Sequence, residues 1–305
     1  MISKIPTDYI EFLYWIKDRT ETYWSKTPST AIDAINCEEW LQGAKWIGLD
    51  ESEIDSIEKE FNLKFTFHHR EFLKILHTID RVEIVEYTKS FDDDAEVFTK
   101  EVPYFYNWKT DKEEIIRRLK WPYETIFQDV VGTNKVWLES WGKTRPKSDI
   151  EKEKIFSEWF EKTPKLIPIS SHRFVVSDDL DADNPILSVY GSDTIVYGWS
   201  MRDYLLNEIG GDLDIFKLVY DKEDEEWYSE VKPKYETDMQ NANSYYAENK
   251  VIPYFEEMIL YWSSGWCSYG KKYPYKTEGG IQPITKTFIP EDESDEETQK
   301  RFNPF

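Results

Sequence analysis

The fold of this chain is decided in residues 46–79, which read WIGLDESEIDSIEKEFNLKFTFHHREFLKILHTI. Asp50 and Glu53 have the spacing of a capping box, in which each side chain accepts a hydrogen bond from the other residue's backbone N–H. Leu49 and Ile54 flank this start as a hydrophobic staple. The stretch therefore predicts a helix that begins immediately after Asp50.

Two amphipathic helices follow from the apolar spacing in this stretch. The apolar positions are Ile54, Ile57 and Phe61 in the first helix, and Phe72, Leu73, Leu76 and Ile79 in the second. Asn62 can adopt the left-handed conformation that ends a helix. The pattern predicts a helix hairpin, and by itself it indicates packing and no chemistry.

The same stretch contains Trp46-Ile47-Gly48-Leu49, then the acidic helix, then Arg70-Glu71-Phe72-Leu73. In this order they resemble the opening of a domain of the SUKH superfamily, the homologues of the yeast cell-wall glucan synthesis regulator. The later stretches, in the family's order, are Trp121-Pro122-Tyr123-Glu124, Trp137-Leu138-Glu139-Ser140-Trp141-Gly142, Leu166-Ile167-Pro168-Ile169 through His172-Arg173, Ser188-Val189-Tyr190 through Gly198, and Ile252-Pro253-Tyr254-Phe255. The likeness covers roughly residues 46 to 262. Thr66-Phe67-His68-His69 departs from the family's proline-rich entry to the second helix.

The resemblance implies a protein that acts by contact with another protein. Bacterial members of the family act largely as immunity proteins, which neutralise toxins, often nucleases, by direct binding. The yeast relatives imply a different role, an intracellular regulator or scaffold that links signalling to wall synthesis. Both alternatives are non-enzymatic.

The charge of the chain bears on its partners. Sixty acidic side chains against 38 basic ones give a formal net charge of −22, and the mean hydropathy is −0.68. Such a charge opposes binding to nucleic-acid phosphates or to an anionic membrane surface and attracts a basic protein. Acidity that serves only solubility is the other interpretation. Nothing in the sequence fixes the oligomeric state.

The compartment is predicted from cysteines and the first residues. Cys37 and Cys267 are far apart in a long chain, which favours free thiols in a reducing compartment. The first residues carry too many charges for a signal peptide, and no run of the chain approaches 18 apolar residues. We expect a cytoplasmic protein.

The order of elements predicts an α+β fold, with an antiparallel sheet covered by helices in one SUKH-like domain. We assign residues 46–264 to that domain, 1–45 to an N-terminal helical extension, and 265–305 to an extended or disordered tail. The extension is either a helix docked on the domain or a variable arm.

Several local elements are predicted within that domain. The strands are predicted at residues 82–88, 102–108, 125–131, 135–141, 166–170, 173–176, 186–190 and 193–197. Gly132-Thr133-Asn134 predicts a hairpin turn between the strands on its two sides. Pro122 is predicted to end the helix before it, and residues 221–238 are expected to be irregular.

The search for catalytic and metal motifs is negative. Gly142-Lys143-Thr144 lacks the first glycine of a phosphate-binding loop, because that position is Trp137. Asp179, Asp181 and Asp183 start like a calcium loop, but the sixth position is Asn184 and the twelfth is Tyr190.

The four histidines, His68, His69, His77 and His172, have no zinc spacing and are expected to be caps or solvent-facing. Ser170, Ser171 and His172 indicate a β-turn and no nucleophile. We expect no catalytic residue, no metal and no cofactor.

The partner-binding residues are therefore sought among acidic loops and aromatic anchors. Trp137, Glu139 and Trp141 would share one face of the strand at 135–141. Buried core positions are the other interpretation for the tryptophans. The candidate partner-binding residues are Asp92, Asp93, Asp94, Glu139, Trp141, His172, Arg173, Asp179, Asp181 and Asp183.

Overall fold

The structure is a computed structural model that describes residues 5–88, 97–132, 134–177, 184–239 and 252–263. The chain divides into two compact units. Unit 1 comprises Met1–Lys112, Asp179–Asn184 and Gly198–Tyr246, and unit 2 comprises Glu113–Asp178, Pro185–Tyr197 and Ala247–Phe305. The predicted single domain at 46–264 stays a prediction beside this division.

The helices and strands follow one another in a mixed order. They are α1 (Tyr9–Trp24), β1 (Trp46–Ile47), α2 (Glu51–Phe61), α3 (Phe67–Leu76), β2 (Thr78–Ile79), β3 (Val82–Thr88), β4 (Val97–Pro103), α4 (Lys112–Val131), α5 (Asp149–Phe160), β5 (Lys165–Ser170), β6 (Arg173–Ser177), β7 (Ile186–Tyr190), β8 (Asp193–Gly198), α6 (Met201–Glu208), β9 (Phe216–Asp221), β10 (Glu226–Val231) and α7 (Glu256–Ser263). Short 3₁₀ turns occur at Glu39–Leu41, Glu139–Trp141 and Gly210–Leu213.

The sheets are small and antiparallel. β1 pairs with β2, β3 with β4 and β9 with β10, while β5, β6, β7 and β8 form one four-stranded sheet in that order. Together with the helices they confirm the predicted α+β class. The strand expected at 102–108 lies earlier, at Val97–Pro103, and the segment expected to be irregular at 221–238 contains β10.

The helix hairpin of unit 1 forms as its sequence predicts. The Asp50 side chain accepts from the Glu53 N–H at 2.8 Å, and the Glu53 side chain accepts from the Asp50 N–H at 2.9 Å. Asn62 has φ 51° and ends α2. Gly48 brings β1 against α3 so closely that a Cβ there would lie 1.9 Å from the carbonyl oxygen of Lys74. The hairpin is thus closed by a backbone approach that only glycine permits.

The N-terminal helix is part of the core of unit 1. Phe12, Leu13 and Ile16 are fully buried on α1. The Arg19 guanidinium donates to the carbonyl oxygen of Leu213 at 2.7 Å, which ties α1 to the 3₁₀ turn Gly210–Leu213. Because this contact joins residues 194 positions apart, α1 fixes the late part of unit 1 as well as the hairpin.

The hairpin predicted at 125–141 is wrong, because α4 continues through Pro122 to Val131. Ile126 and Val130, four positions apart, are fully buried on one side of α4. A proline inside a helix removes one backbone hydrogen bond and costs roughly 3 kcal/mol. Burial of this face and the bond from Trp121 Nε1 to the Val189 carbonyl oxygen at 2.9 Å offset that cost.

Candidate functional site

Six of the predicted partner-binding residues lie outside the described part of the chain. They are Asp92, Asp93, Asp94, Asp179, Asp181 and Asp183. Their role in binding stays a prediction.

His172 and Arg173 lie together at the turn between β5 and β6. Ser171 has φ 42°, so the predicted turn at this place is confirmed. The Arg173 guanidinium stacks 3.8 Å from the centre of the Tyr197 ring and donates to the Ser188 hydroxyl at 2.9 Å. Burial, together with nearby arginine charge, lowers the pKa of His172 to about 4. At neutral pH this turn therefore carries an uncharged histidine next to an arginine that Tyr197 and Ser188 keep in place.

The prediction that the histidines are caps or solvent-facing is wrong for His69, which is 1% exposed and lies inside α3. His77 is the C-cap residue of α3, as the capping interpretation predicts, and it is also 1% exposed. His69 lies against Phe65 and Phe72, and neither of its ring nitrogens has a hydrogen-bond partner among the residues that the structure describes. The Trp108 N–H donates to His77 Nε2 at 2.9 Å. Burial lowers the pKa of His69 to about 3 and that of His77 to about 4.

Glu139 and Trp141 do not lie on a strand, since residues 139–141 form a 3₁₀ turn. Trp137 is 1% exposed, which confirms the core interpretation for this tryptophan. Trp141 is 8% exposed, and its ring packs edge-on against Trp159 at 5.3 Å between centroids. A substitution of Trp141 would therefore disturb the packing of unit 2. Trp141 is not the exposed aromatic anchor that the sequence suggests.

Trp141 nevertheless lines a pocket in unit 2, which we call the Trp141 pocket. The pocket has a volume of about 610 Å³ and is lined by Ser140, Trp141, Ile155, Glu158, Trp159, Lys162, Tyr254, Glu256 and Glu257. Its volume is in the range of roughly 300–1,000 Å³ that is usual for ligand sites. Aromatic rings and carboxylates share its surface.

One wall of the Trp141 pocket comes from α5 and the residues just after it. Ile155, Glu158, Trp159 and Lys162 follow the i, i+3, i+4, i+7 spacing and so lie on one helical face. Phe156, on another side of α5, is fully buried and holds the helix in place. The spacing could have identified this face from the sequence, although the predicted binding residues did not include it.

Another part of the lining comes from Tyr254 and from Glu256 and Glu257 at the start of α7. Phe255 is fully buried and contacts Trp159 at 5.7 Å between ring centroids, which anchors the segment. Tyr254 is 45% exposed and has φ 70°, in the left-handed region that a tyrosine rarely adopts. The Glu257 carboxylate accepts from the Ser140 N–H at 3.2 Å, which joins this part of the lining to the 3₁₀ turn.

The electrostatics of the Trp141 pocket are unbalanced. Its described lining residues include three carboxylates, those of Glu158, Glu256 and Glu257, and one ammonium, that of Lys162. Glu158 Oε1 also lies 4.0 Å from Lys154 Nζ on α5. Burial is the largest cause that raises the pKa of Glu256, and the charge of Glu257 raises it further. A cation placed in this pocket would relieve both the desolvation and the repulsion.

No three His, Cys, Asp or Glu side chains among the described residues converge in a way that could hold a metal ion. Within that same part of the chain, no helix is long and apolar enough to cross a membrane. Cys37 is a half-buried free thiol.

Comparison with known proteins gives no relative. No family model matches the chain, and neither a curated protein nor a solved structure shows significant similarity to it. The resemblance to the SUKH superfamily stays a prediction.

Proposed function

We propose that this protein is a non-enzymatic binding module, an immunity protein of the cytoplasm that neutralises a basic bacterial toxin by direct contact. The Trp141 pocket is the observation that carries the proposal. It combines aromatic rings, which dominate binding energy at protein interfaces, with three carboxylates against one ammonium. A basic protein supplies the apolar and cationic groups that complement both.

The charge of the whole chain supports the same class of partner. A formal net charge of −22 raises the rate at which a basic protein encounters this one. Salt weakens this attraction, because at 0.1 M it screens charges that are more than about 10 Å apart. The pocket would then determine how long the complex lasts, because short-range contacts act mainly on the dissociation rate.

The test is surface plasmon resonance against the protein encoded beside this gene, at several salt concentrations. We expect a stable complex whose association rate falls severalfold from low to physiological salt, with a smaller change in the dissociation rate. Co-expression should also restore growth to cells that make that neighbouring protein.

Two results would argue against the proposal. A tight complex with no salt response would remove the electrostatic part of the argument. No complex with any neighbouring product would favour the regulatory or scaffold role related to cell-wall synthesis instead.

A further inference from the structure

The shape of the Trp141 pocket limits what its ligand can be. Trp141 and Trp159 are each 8% exposed, so little of their rings is accessible, while Tyr254 is 45% exposed and offers most of the accessible aromatic surface among these three residues. A flat apolar group of a ligand would fit against this aromatic surface. A positive charge on the same ligand would be attracted by the carboxylates of Glu158 and Glu256.

A second observation points to a ligand with a hydrogen-bond acceptor. Trp141 Nε1 is buried and has no hydrogen-bond partner among the described residues. A buried indole N–H normally finds an acceptor, because leaving it unpaired costs roughly 1–3 kcal/mol. The carbonyl oxygen of a bound peptide is such an acceptor.

We infer that the Trp141 pocket receives an arginine side chain from the basic partner, with the guanidinium against the aromatic rings and within reach of the carboxylates. This inference rests on the proposed function and names the group that the pocket recognises. The planar guanidinium stacks on aromatic faces and bonds carboxylates through two parallel N–H groups. A lysine ammonium is a compact, strongly hydrated charge that gains less from flat rings.

Glu256 is the carboxylate that such an arginine would change most. It is half-buried and sits beside the charge of Glu257, whose own carboxylate is held by the Ser140 N–H. The guanidinium would place a second positive charge in the pocket, in addition to the Lys162 ammonium. Glu158 on α5, which lies 4.0 Å from Lys154 Nζ, would supply a second carboxylate to the guanidinium.

The experiment is calorimetric titration of the full chain with acetylated octa-arginine at 150 mM salt. Octa-lysine tests the preference for guanidinium, and octa-citrulline tests the need for charge. The pocket variant is Glu158→Gln with Glu256→Gln. The matched control is Glu223→Gln with Glu226→Gln, which removes the same charge from exposed residues of unit 1.

We expect octa-arginine to bind at least fivefold more tightly than octa-lysine, and octa-citrulline not to bind. The pocket variant should weaken octa-arginine at least tenfold, and the control variant less than twofold. The Trp141 indole N–H signal, assigned by its loss in Trp141→Phe, should shift in the spectrum of the parent protein on titration. Equal losses in the two variants, or equal affinity for lysine and arginine, would overturn the inference.

The inference and the proposed function can fail separately. If the neighbouring protein binds and the pocket variant binds it as well as the parent, the pocket inference is wrong and the immunity proposal stands. If octa-arginine binds as expected and no neighbouring protein does, the pocket inference stands and the immunity proposal is wrong.

Discussion

Replacing the buried His69 by phenylalanine should make unit 1 less sensitive to mild acid. His69 is 1% exposed, and its pKa is lowered from 6.5 to about 3, mainly by burial and then by the charge of His77. The unfolded chain binds a proton to this ring below about pH 6.5, whereas the folded chain does not until near pH 3. The free energy of unfolding is therefore not lowered by this ring above pH 6.5, and it falls as the pH drops from 6.5 toward 3.

The size of the effect depends little on the folded pKa, because pH 5 lies well above it. Proton uptake by the unfolded ring between pH 7 and pH 5 lowers the free energy of unfolding by about 2 kcal/mol. His77, whose pKa is about 4, should contribute a similar loss of about 2 kcal/mol. In His69→Phe the fall between these pH values should be about 2 kcal/mol smaller than in the parent.

The assay is urea unfolding followed by far-UV circular dichroism at pH 7 and pH 5, for the parent and the variant. Phenylalanine suits the site because His69 already packs against Phe65 and Phe72 and its ring makes no hydrogen bond to the described part of the chain. Phe65→Leu is the control, since it removes packing at the same place and carries no proton. An equal pH response in His69→Phe and the parent would refute the argument that the ring is buried and neutral.

Two further predictions concern the helix hairpin. Glu58→Ala should lower the free energy of unfolding by roughly 3 kcal/mol, because it removes the buried acceptor of the Phe65 N–H and one partner of Arg70. Thermal unfolding measures this loss, with Glu60→Ala, at an exposed position, as the control. Equal stability of the two variants would contradict the prediction. Gly48→Ala should lower the free energy of unfolding by at least about 2 kcal/mol, because its Cβ would meet a backbone oxygen. The control is Gly211→Ala, where a Cβ would meet no atom of the described residues within 4 Å.

Local signals explain what the sequence could predict. The capping box of Asp50 and Glu53 involves residues three positions apart, and it needs no distant contact to form. The turn at Ser171 is local in the same way. Such elements are specified by their own few residues, so the start of α2 and the β5–β6 turn were predicted correctly.

The errors arise where distant contacts decide. Residues 125–131 are rich in β-branched side chains and indicate a strand, yet the buried spacing of Ile126 and Val130 places them on a helix. Pro122 predicts a helix end, whereas α4 continues through it because the packing of this helix tolerates the proline. The Trp141 pocket joins Ser140 to Glu257 across 117 positions, and no local pattern reports such a pairing.

The left-handed backbone of Tyr254 implies that selection for thermal stability would replace this tyrosine and so change the pocket. A tyrosine in this conformation is strained by roughly 1–2 kcal/mol, which glycine or asparagine avoids. A library at this position, sorted only by survival at high temperature, should therefore enrich glycine and asparagine. The survivors would lack the exposed ring that lines the pocket, so we expect selection for thermal stability alone to weaken the arginine binding that we propose for this pocket. Recovery of tyrosine from such a library would mean that its ring contributes more to folding than its backbone conformation costs.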